Sequence, residues 1–145
     1  MKNKRQLILF IALPAFAIAL ASVAQVQAKT VQNDSIEVFW QKFRGAVIKG
    51  DKPAVAALSQ FPISMPYGYS IVRNKAQLSR RYRQVFNHEG SAAKCFADAA
   101  PKTDPERPQE FTVGCKNPAG DEVVIYSFTK TKNGWRFSGL DNLNE

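Results

Sequence analysis

The two cysteines of this chain of 145 residues carry the most specific chemistry in its sequence. Cys95 and Cys115 lie much farther apart than the C-x-x-C spacing of a redox dithiol. With a single histidine, they are too few to build a typical four-ligand zinc site. In an oxidising compartment two such thiols join. The spacing therefore predicts a structural disulfide, and no metal or other cofactor is expected.

Acid–base and nucleophilic chemistry have little support in the sequence. His88, the sole histidine, stands beside Glu89 in a predicted loop, where a solvated side chain is a simpler interpretation than a catalytic base. No Ser/His/Asp or Cys/His arrangement and no glycine-rich phosphate loop is present. We therefore assign no catalytic residue from the sequence.

Aromatic side chains are the candidates for a small-ligand pocket, because such pockets are mostly apolar with a few polar groups. Tyr67 and Tyr69 are flanked by Pro66 and Gly68, and aromatic residues on a rigid loop often mark the rim of a site. Ordinary packing in the core is the alternative for each of them. The candidate pocket or rim residues are Trp40, Tyr67, Tyr69, Tyr82, Tyr126 and Trp135.

A cluster of basic residues is the strongest local charge bias in the chain. Such a surface attracts an anionic envelope polymer or an acidic protein partner. The alternative is a solvated helix face without a partner. No nucleic-acid recognition motif is visible, so nucleic acid is not expected as a partner. The residues of this basic face are Arg73, Lys75, Arg80, Arg81 and Arg83.

The N-terminal segment has the pattern of an export signal. Lys2, Lys4 and Arg5 precede an apolar run over 7–24, and the small residues that follow predict cleavage after Ala28. Cleavage after Ala24 and an uncleaved membrane anchor are the alternatives. No cysteine lies near the cleavage region, which excludes a bacterial lipoprotein anchor. We expect residues 1–28 to be a signal peptide and the protein to be periplasmic or secreted.

The remaining residues, 29–145, are expected to form one domain. A hydrophobic share of 45% and a charged share of 22% are those of a globular protein, which excludes disordered and fibrous classes. The signal segment contains three of the 20 Lys and Arg and none of the 12 Asp and Glu, so the mature charge is 17 minus 12, or +5. Such a charge suits an anionic partner, but solubility alone also explains it.

Helices are predicted in the first half of this domain. An apolar stripe indicates a helix that begins after Asp34 or Ser35 and ends near Lys49. Asp51 caps a short second helix, which we expect to end at Phe61-Pro62 because a residue before proline resists the α conformation. Residues 62–72 look extended, with a short edge strand and an ordered loop as the alternatives. A third helix begins at Asn74, with an inward stripe of Leu78, Tyr82, Val85 and Phe86.

Strands are predicted in the second half, where the apolar period changes to two. The four predicted strands are 92–98, 110–116, 122–130 and 134–140. Residues 101–108 read as a loop, and Lys132-Asn133-Gly134 as a hairpin turn. If the strands at 92–98 and 110–116 pair, Cys95 and Cys115 can meet.

This order of elements resembles the NTF2-like superfamily, which includes SnoaL-like and ketosteroid-isomerase-like proteins. The resemblance covers 35–140, including Phe39-Trp40-x-x-Phe43, the Gly50-Asp51 break and the closing Ile125-Tyr126-x-Phe128 and Gly134-Trp135-Arg136-Phe137 segments. It implies an α+β fold in which N-terminal helices pack on a curved antiparallel β-sheet, forming a cone whose mouth often accepts a small ligand. A homodimer is also implied.

The resemblance leaves the function open, because this scaffold carries enzymes, binding proteins and structural modules. An isomerase of this type would need a carboxylate base and acidic donors inside the cone. Asp98, Tyr67, Tyr69, Tyr82 and Tyr126 are candidates, but their spacing does not match a catalytic set. We expect a non-catalytic binding module for a small apolar ligand or an anionic envelope component, with membrane contact only through the signal peptide. An isomerase or dehydratase is the alternative.

Overall fold

The computed structural model describes residues 35–65, 71–87, 90–117 and 119–143. The expected signal peptide, Tyr67, Tyr69 and His88 lie outside the described residues. Among the helices of the described ranges, none has the length and apolar character needed to cross a membrane.

The first two helices form where their capping residues predict. Helix α1 spans Ile36–Ile48, and the Ser35 hydroxyl accepts a hydrogen bond from the Val38 amide at 3.2 Å. Helix α2 spans Lys52–Ala57, and the Asp51 carboxylate accepts from the Ala54 amide at 3.0 Å. Each side chain satisfies an amide that the first helical turn leaves unpaired. Both predicted helix starts are confirmed.

The predicted end of α2 is wrong. The helix stops at Ala57, and strand β1, Ser59–Ser64, follows at once, so Phe61-Pro62 lies inside a strand. The Phe137 amide donates to the Leu58 carbonyl at 3.0 Å, which begins the parallel pairing of β1 with the last strand. Pairing with the last strand therefore ends helix α2 several residues before Pro62 is reached. Strand β2, Ile71–Val72, pairs with β1 at the sheet edge, as expected for this extended region.

Helix α3 spans Lys75–Asn87 and confirms the predicted third helix. The Asn74 side chain accepts from the Gln77 amide at 2.9 Å, and the Gln77 side chain accepts from the Arg73 amide at 2.7 Å. This reciprocal pair is a variant of the capping box, displaced by one residue on its return bond. The four apolar residues predicted to face inward are all buried: Leu78, Tyr82, Val85 and Phe86.

Residues 92–98, predicted as a strand, form helix α4, Ala92–Asp98. The Ser91 hydroxyl accepts from the Lys94 amide at 3.3 Å, which caps the helix. The buried residues, Ala92 and Phe96, are four apart, which is the spacing of one helix face rather than of alternate strand positions. Three alanines in seven residues also favour the helical conformation.

The remaining strands are β3 Lys102–Thr103, β4 Glu110–Lys116, β5 Glu122–Thr131 and β6 Gly134–Asn142. Within the described residues the sheet has six strands in the order β2-β1-β6-β5-β4-β3. Of their pairings only β1–β6 is parallel, and β4, β5 and β6 form an antiparallel meander that confirms the last three predicted strands. The expected loop at 101–108 contains the short strand β3. Gly134 begins β6 after the predicted hairpin turn with a φ of 88°.

The predicted disulfide is confirmed, although the expected route to it is wrong. Cys95 and Cys115 are bonded, with their Cα atoms 5.7 Å apart. Cys95 belongs to α4 and Cys115 to β4, so the bond fastens a helix to the inner face of the sheet rather than joining two paired strands.

An aromatic cluster joins the helices to the sheet. Phe43 of α1 is fully buried, and its ring lies 5.0 Å from Phe128, 5.4 Å from Phe137 and 6.3 Å from both Phe86 and Phe96. These partners come from β5, β6, α3 and α4, so one side chain contacts four elements. The helices cover one face of an open mixed sheet, which confirms the expected α+β class.

We expect Phe43→Ala to lower the free energy of unfolding by about 3–5 kcal/mol, because it leaves a cavity where four elements meet. Ile48→Ala is the matched control on the same helix, since Ile48 is 46% exposed. The control should cost less than about 1 kcal/mol. Urea unfolding of both variants measures the difference, and equal losses would contradict this account of the core.

Candidate functional site

A cavity of about 70 Å³ lies where α3 and α4 meet the inner face of the sheet. The strand register builds its floor. Cys115 pairs with Val124 and Val124 with Asn142, which places one residue from each of β4, β5 and β6 side by side. Tyr126 and Leu140 form the next paired row. All five line the cavity, together with Val85 of α3.

The cavity changes from apolar at its floor to polar at its mouth. Val85, Ala92, Val123, Val124 and Leu140 line it and are all buried. The exposed lining residues are Gln84, Gly90 and Lys116, with Ser91 half-buried beside them. Asn142 adds one buried polar side chain, 5% exposed. This arrangement can enclose an apolar group while leaving a polar group at the opening.

The disulfide forms part of the cavity wall. Cys95 and Cys115 both line the space, and the bond between them fixes α4 against β4. The chain-entropy model assigns a cross-link over this separation of 20 residues about 3 kcal/mol of stabilisation. The covalent link therefore holds two walls of the cavity at a set distance.

Tyr126 is a buried hydrogen-bond donor beside the cavity. Its hydroxyl donates to the Val85 carbonyl at 3.3 Å. Burial raises the pKa of Tyr126 far above its usual value, because the phenolate would lose its hydration. The ring stacks on Phe86 at 5.9 Å and meets Phe96 edge-on at 4.9 Å. This phenol stays protonated and holds its orientation at neutral pH.

The other described aromatic candidates are buried in the core and do not line this cavity. The Tyr82 hydroxyl donates to the Val47 carbonyl at 3.4 Å, and burial together with the Asp51 carboxylate raises the pKa of Tyr82. The Trp40 indole donates to the Ala99 carbonyl at 3.3 Å. Trp135 packs edge-on against Phe111, with ring centroids 5.1 Å apart. Ligand binding by the six predicted aromatic residues stays a prediction, and the structure places Tyr126 alone of these four at the cavity.

The basic face lies on and beside α3. Arg73, Lys75, Arg80 and Arg83 are exposed, and Arg81 is half-buried. One guanidinium nitrogen of Arg81 donates to the Ile71 carbonyl at 3.3 Å, tying that side chain to β2. On a helix of 3.6 residues per turn, Arg80 and Arg83 point away from the buried stripe. The face is a surface feature, separate from the cavity lining.

Carboxylates and imidazoles are absent from the described lining of the cavity. Asp98, a candidate base from the sequence, is exposed at the end of α4. Within the residues that the structure describes, no group of three or more His, Cys, Asp or Glu side chains is placed to hold a metal ion. The described lining thus consists of an apolar floor, the Tyr126 hydroxyl, which donates to the Val85 carbonyl, and polar groups at the mouth.

Lys116, Ser91 and Asn142 are lining residues that sequence reasoning did not single out as site residues. Alternation along β6 could have identified Asn142, because it shares the inward face with Leu140. Lys116 directly follows the inward Cys115, and its place at the mouth depends on where α4 packs. Because the sequence predicts a strand over 92–98, it does not indicate that these three residues line one cavity beside helix α4.

The chain matches no protein-family model and no curated protein sequence. Among solved structures, it is similar to an NTF2-like protein with a cystatin-like fold from Novosphingobium aromaticivorans. The two are 14% identical with a TM-score of 0.42, over 87% of this chain and 93% of that one. A Silicibacter pomeroyi NTF2-like protein of unknown function is 11% identical with a TM-score of 0.39, over 81% and 97% of the two chains.

A third similar structure is a Streptomyces avermitilis protein provisionally named a dehydratase of the NTF2-like family. It is 13% identical with a TM-score of 0.40, over 81% of this chain and 99% of that one. These three structures are NTF2-like by name, and the order of elements in this sequence resembles the same superfamily.

We expect the stability of the protein to fall above about pH 10, the ordinary pKa of a tyrosine phenol. The unfolded chain then releases the Tyr126 proton while the folded chain keeps it, because the folded-state pKa is raised. The stabilisation is complete below the unfolded pKa and is lost as the pH rises towards the folded one. The slope approaches about 1.4 kcal/mol per pH unit.

Tyr126→Phe tests this expectation by removing the titrating group and keeping the ring. At about pH 8 the variant should be less stable by about 1 kcal/mol, the typical contribution of one hydrogen bond. That gap should shrink by about pH 11, where ionisation penalises only the wild type. Urea unfolding at both pH values measures it, and a constant gap would show that Tyr126 ionises normally.

Proposed function

We propose that this protein is an exported, non-catalytic binding module that holds a small ligand in the cavity between α3, α4 and the sheet. The observation that carries the proposal is the composition of the described lining: an apolar floor, a polar mouth and no carboxylate or imidazole. Apolar cavities in proteins stay dry and accept apolar guests. A volume of about 70 Å³ suits a small guest or one short end of a larger molecule.

The alternative function, an isomerase or dehydratase, has weaker support. General acid–base catalysis needs a group whose pKa lies near the working pH and which reaches the substrate. The pKa of Tyr126 is raised away from that range, and its hydroxyl already donates to Val85. Asp98 is exposed at the end of α4 rather than placed in the cavity. These positions favour binding over proton transfer.

Export to the periplasm or beyond the cell is part of the proposal. The Cys95–Cys115 disulfide supports it, because such bonds persist in oxidising compartments and are rare in the cytosol. The sequence pattern of residues 1–28 supports it independently. The functional unit is then the single domain at 29–145, which begins at Lys29 when cleavage follows Ala28.

Methyl NMR with hexan-1-ol, a neutral amphiphile, tests for the ligand cavity. We expect the probe to shift the methyl signals of Val85, Val124 and Leu140, because these side chains line the cavity. Val47 and Val55 are also buried but lie outside the lining, so their signals are the internal control and should stay in place. Saturable shifts confined to the lining methyls would support the site.

The titration is made on oxidised protein, in which the disulfide wall is intact. Shifts spread evenly over lining and control methyls would indicate general surface contact and contradict a specific cavity. An absence of shifts up to the solubility limit of hexan-1-ol would contradict the binding function itself.

A second candidate function is the binding of an anionic envelope polymer by the basic face. The specific observation is that residues 71–87 contain five Lys and Arg and no Asp or Glu. Arg80 and Arg83 are one helical turn apart on the exposed side of α3, where like charges repel. An anionic partner relieves that repulsion, and arginine pairs with sulfate, phosphate or carboxylate through two parallel hydrogen bonds.

We expect the double variant Arg80→Glu/Arg83→Glu to bind immobilised heparin, a sulfated polysaccharide, about tenfold or more weakly at low salt. The double variant Lys94→Glu/Lys132→Glu is the matched control, because it changes the net charge equally at exposed residues outside the face. Salt-gradient elution compares both with the wild type. Equal losses would show that net charge alone determines retention, and the basic face would have no specific role.

A further inference from the structure

Lys116 gives the mouth of the cavity a positive charge. It is the only charged residue among those that the structure places in the lining, and it is exposed. The buried part of the lining is formed by valine, leucine, alanine and methionine side chains, the disulfide, Tyr126 and Asn142. A guest that matches this gradient has an apolar body and a negatively charged end.

We propose that the cavity takes a short-chain carboxylate, with its tail against the apolar floor and its carboxylate at Lys116. The inference rests on the proposed binding function and names the class of ligand for the same cavity. The ammonium group of a lysine donates three hydrogen bonds and attracts a carboxylate without requiring a fixed geometry. A neutral amphiphile makes the apolar contacts of the floor but gains no charge attraction, and Lys116 repels a cationic one at the mouth.

The size of the cavity restricts the tail to a short one. Its volume of about 70 Å³ is about half the roughly 150 Å³ of an apolar cavity that holds benzene. The disulfide between α4 and β4 limits how far the walls can separate to admit a longer chain. The Tyr126 hydroxyl already donates to Val85, so the floor contributes mainly apolar contact to the guest.

The experiment compares hexanoate, hexan-1-ol and hexylammonium, which share one tail, by methyl NMR at neutral pH and low ionic strength. For the wild type we expect hexanoate to bind about two- to fivefold more tightly than hexan-1-ol, the range of an exposed ion pair. Hexylammonium should bind most weakly. Added salt should reduce the preference for hexanoate.

Lys116→Gln should remove the preference for hexanoate over hexan-1-ol. Lys132→Gln is the matched control, because Lys132 is exposed and does not line the cavity. Equal affinity of wild-type protein for hexanoate and hexan-1-ol, or a preference that survives Lys116→Gln, would overturn the ligand class and leave the proposed cavity function standing. If neither probe shifts the lining methyls, both the ligand class and the binding function are wrong.

Discussion

The packing of the α1 aromatic stripe against the inner face of the sheet is the interaction on which the rest of the structure depends. Phe39, Trp40 and Phe43 all contact Phe128 of β5, with ring centroids 5.0–5.9 Å apart. Phe43 also reaches α3, α4 and β6 through its other ring contacts. Buried aromatic pairs contribute beyond the area they remove from water, so this cluster both stabilises the domain and sets the distance between helices and sheet.

The cavity arises where that packing ends. Towards the end of α3, the sheet presents Val124, Leu140 and Asn142 beside Tyr126, and helix α4 covers them incompletely. The disulfide is found at this place, where fewer ring contacts join helix to sheet. A covalent link can hold α4 without filling the space beneath it. The disulfide therefore stabilises the position of α4 while the cavity beside it stays open.

The two buried tyrosine hydroxyl groups connect different elements of the fold. Tyr82 and Tyr126 each donate to a backbone carbonyl of a neighbouring helix, and burial raises the pKa of both. Buried hydroxyl groups need such partners, since an unpaired one is costly. The Tyr82 hydroxyl thereby links α3 to α1, and the Tyr126 hydroxyl links β5 to α3.

The sequence by itself determined the elements whose signals are local. The Ser35 and Asp51 caps, the inward stripe of α3 and the meander of β4 to β6 follow from spacing along the chain, as does the disulfide from two cysteines and an oxidising compartment. Tertiary structure decided the rest. Tertiary packing decided where α4 lies, although its Ser91 cap and three alanines favour a helix locally. Strand β1 began early because β6 paired with it. The cavity brings together residues from α3, α4 and three strands, and a pattern within any one segment carries no information about the space between segments.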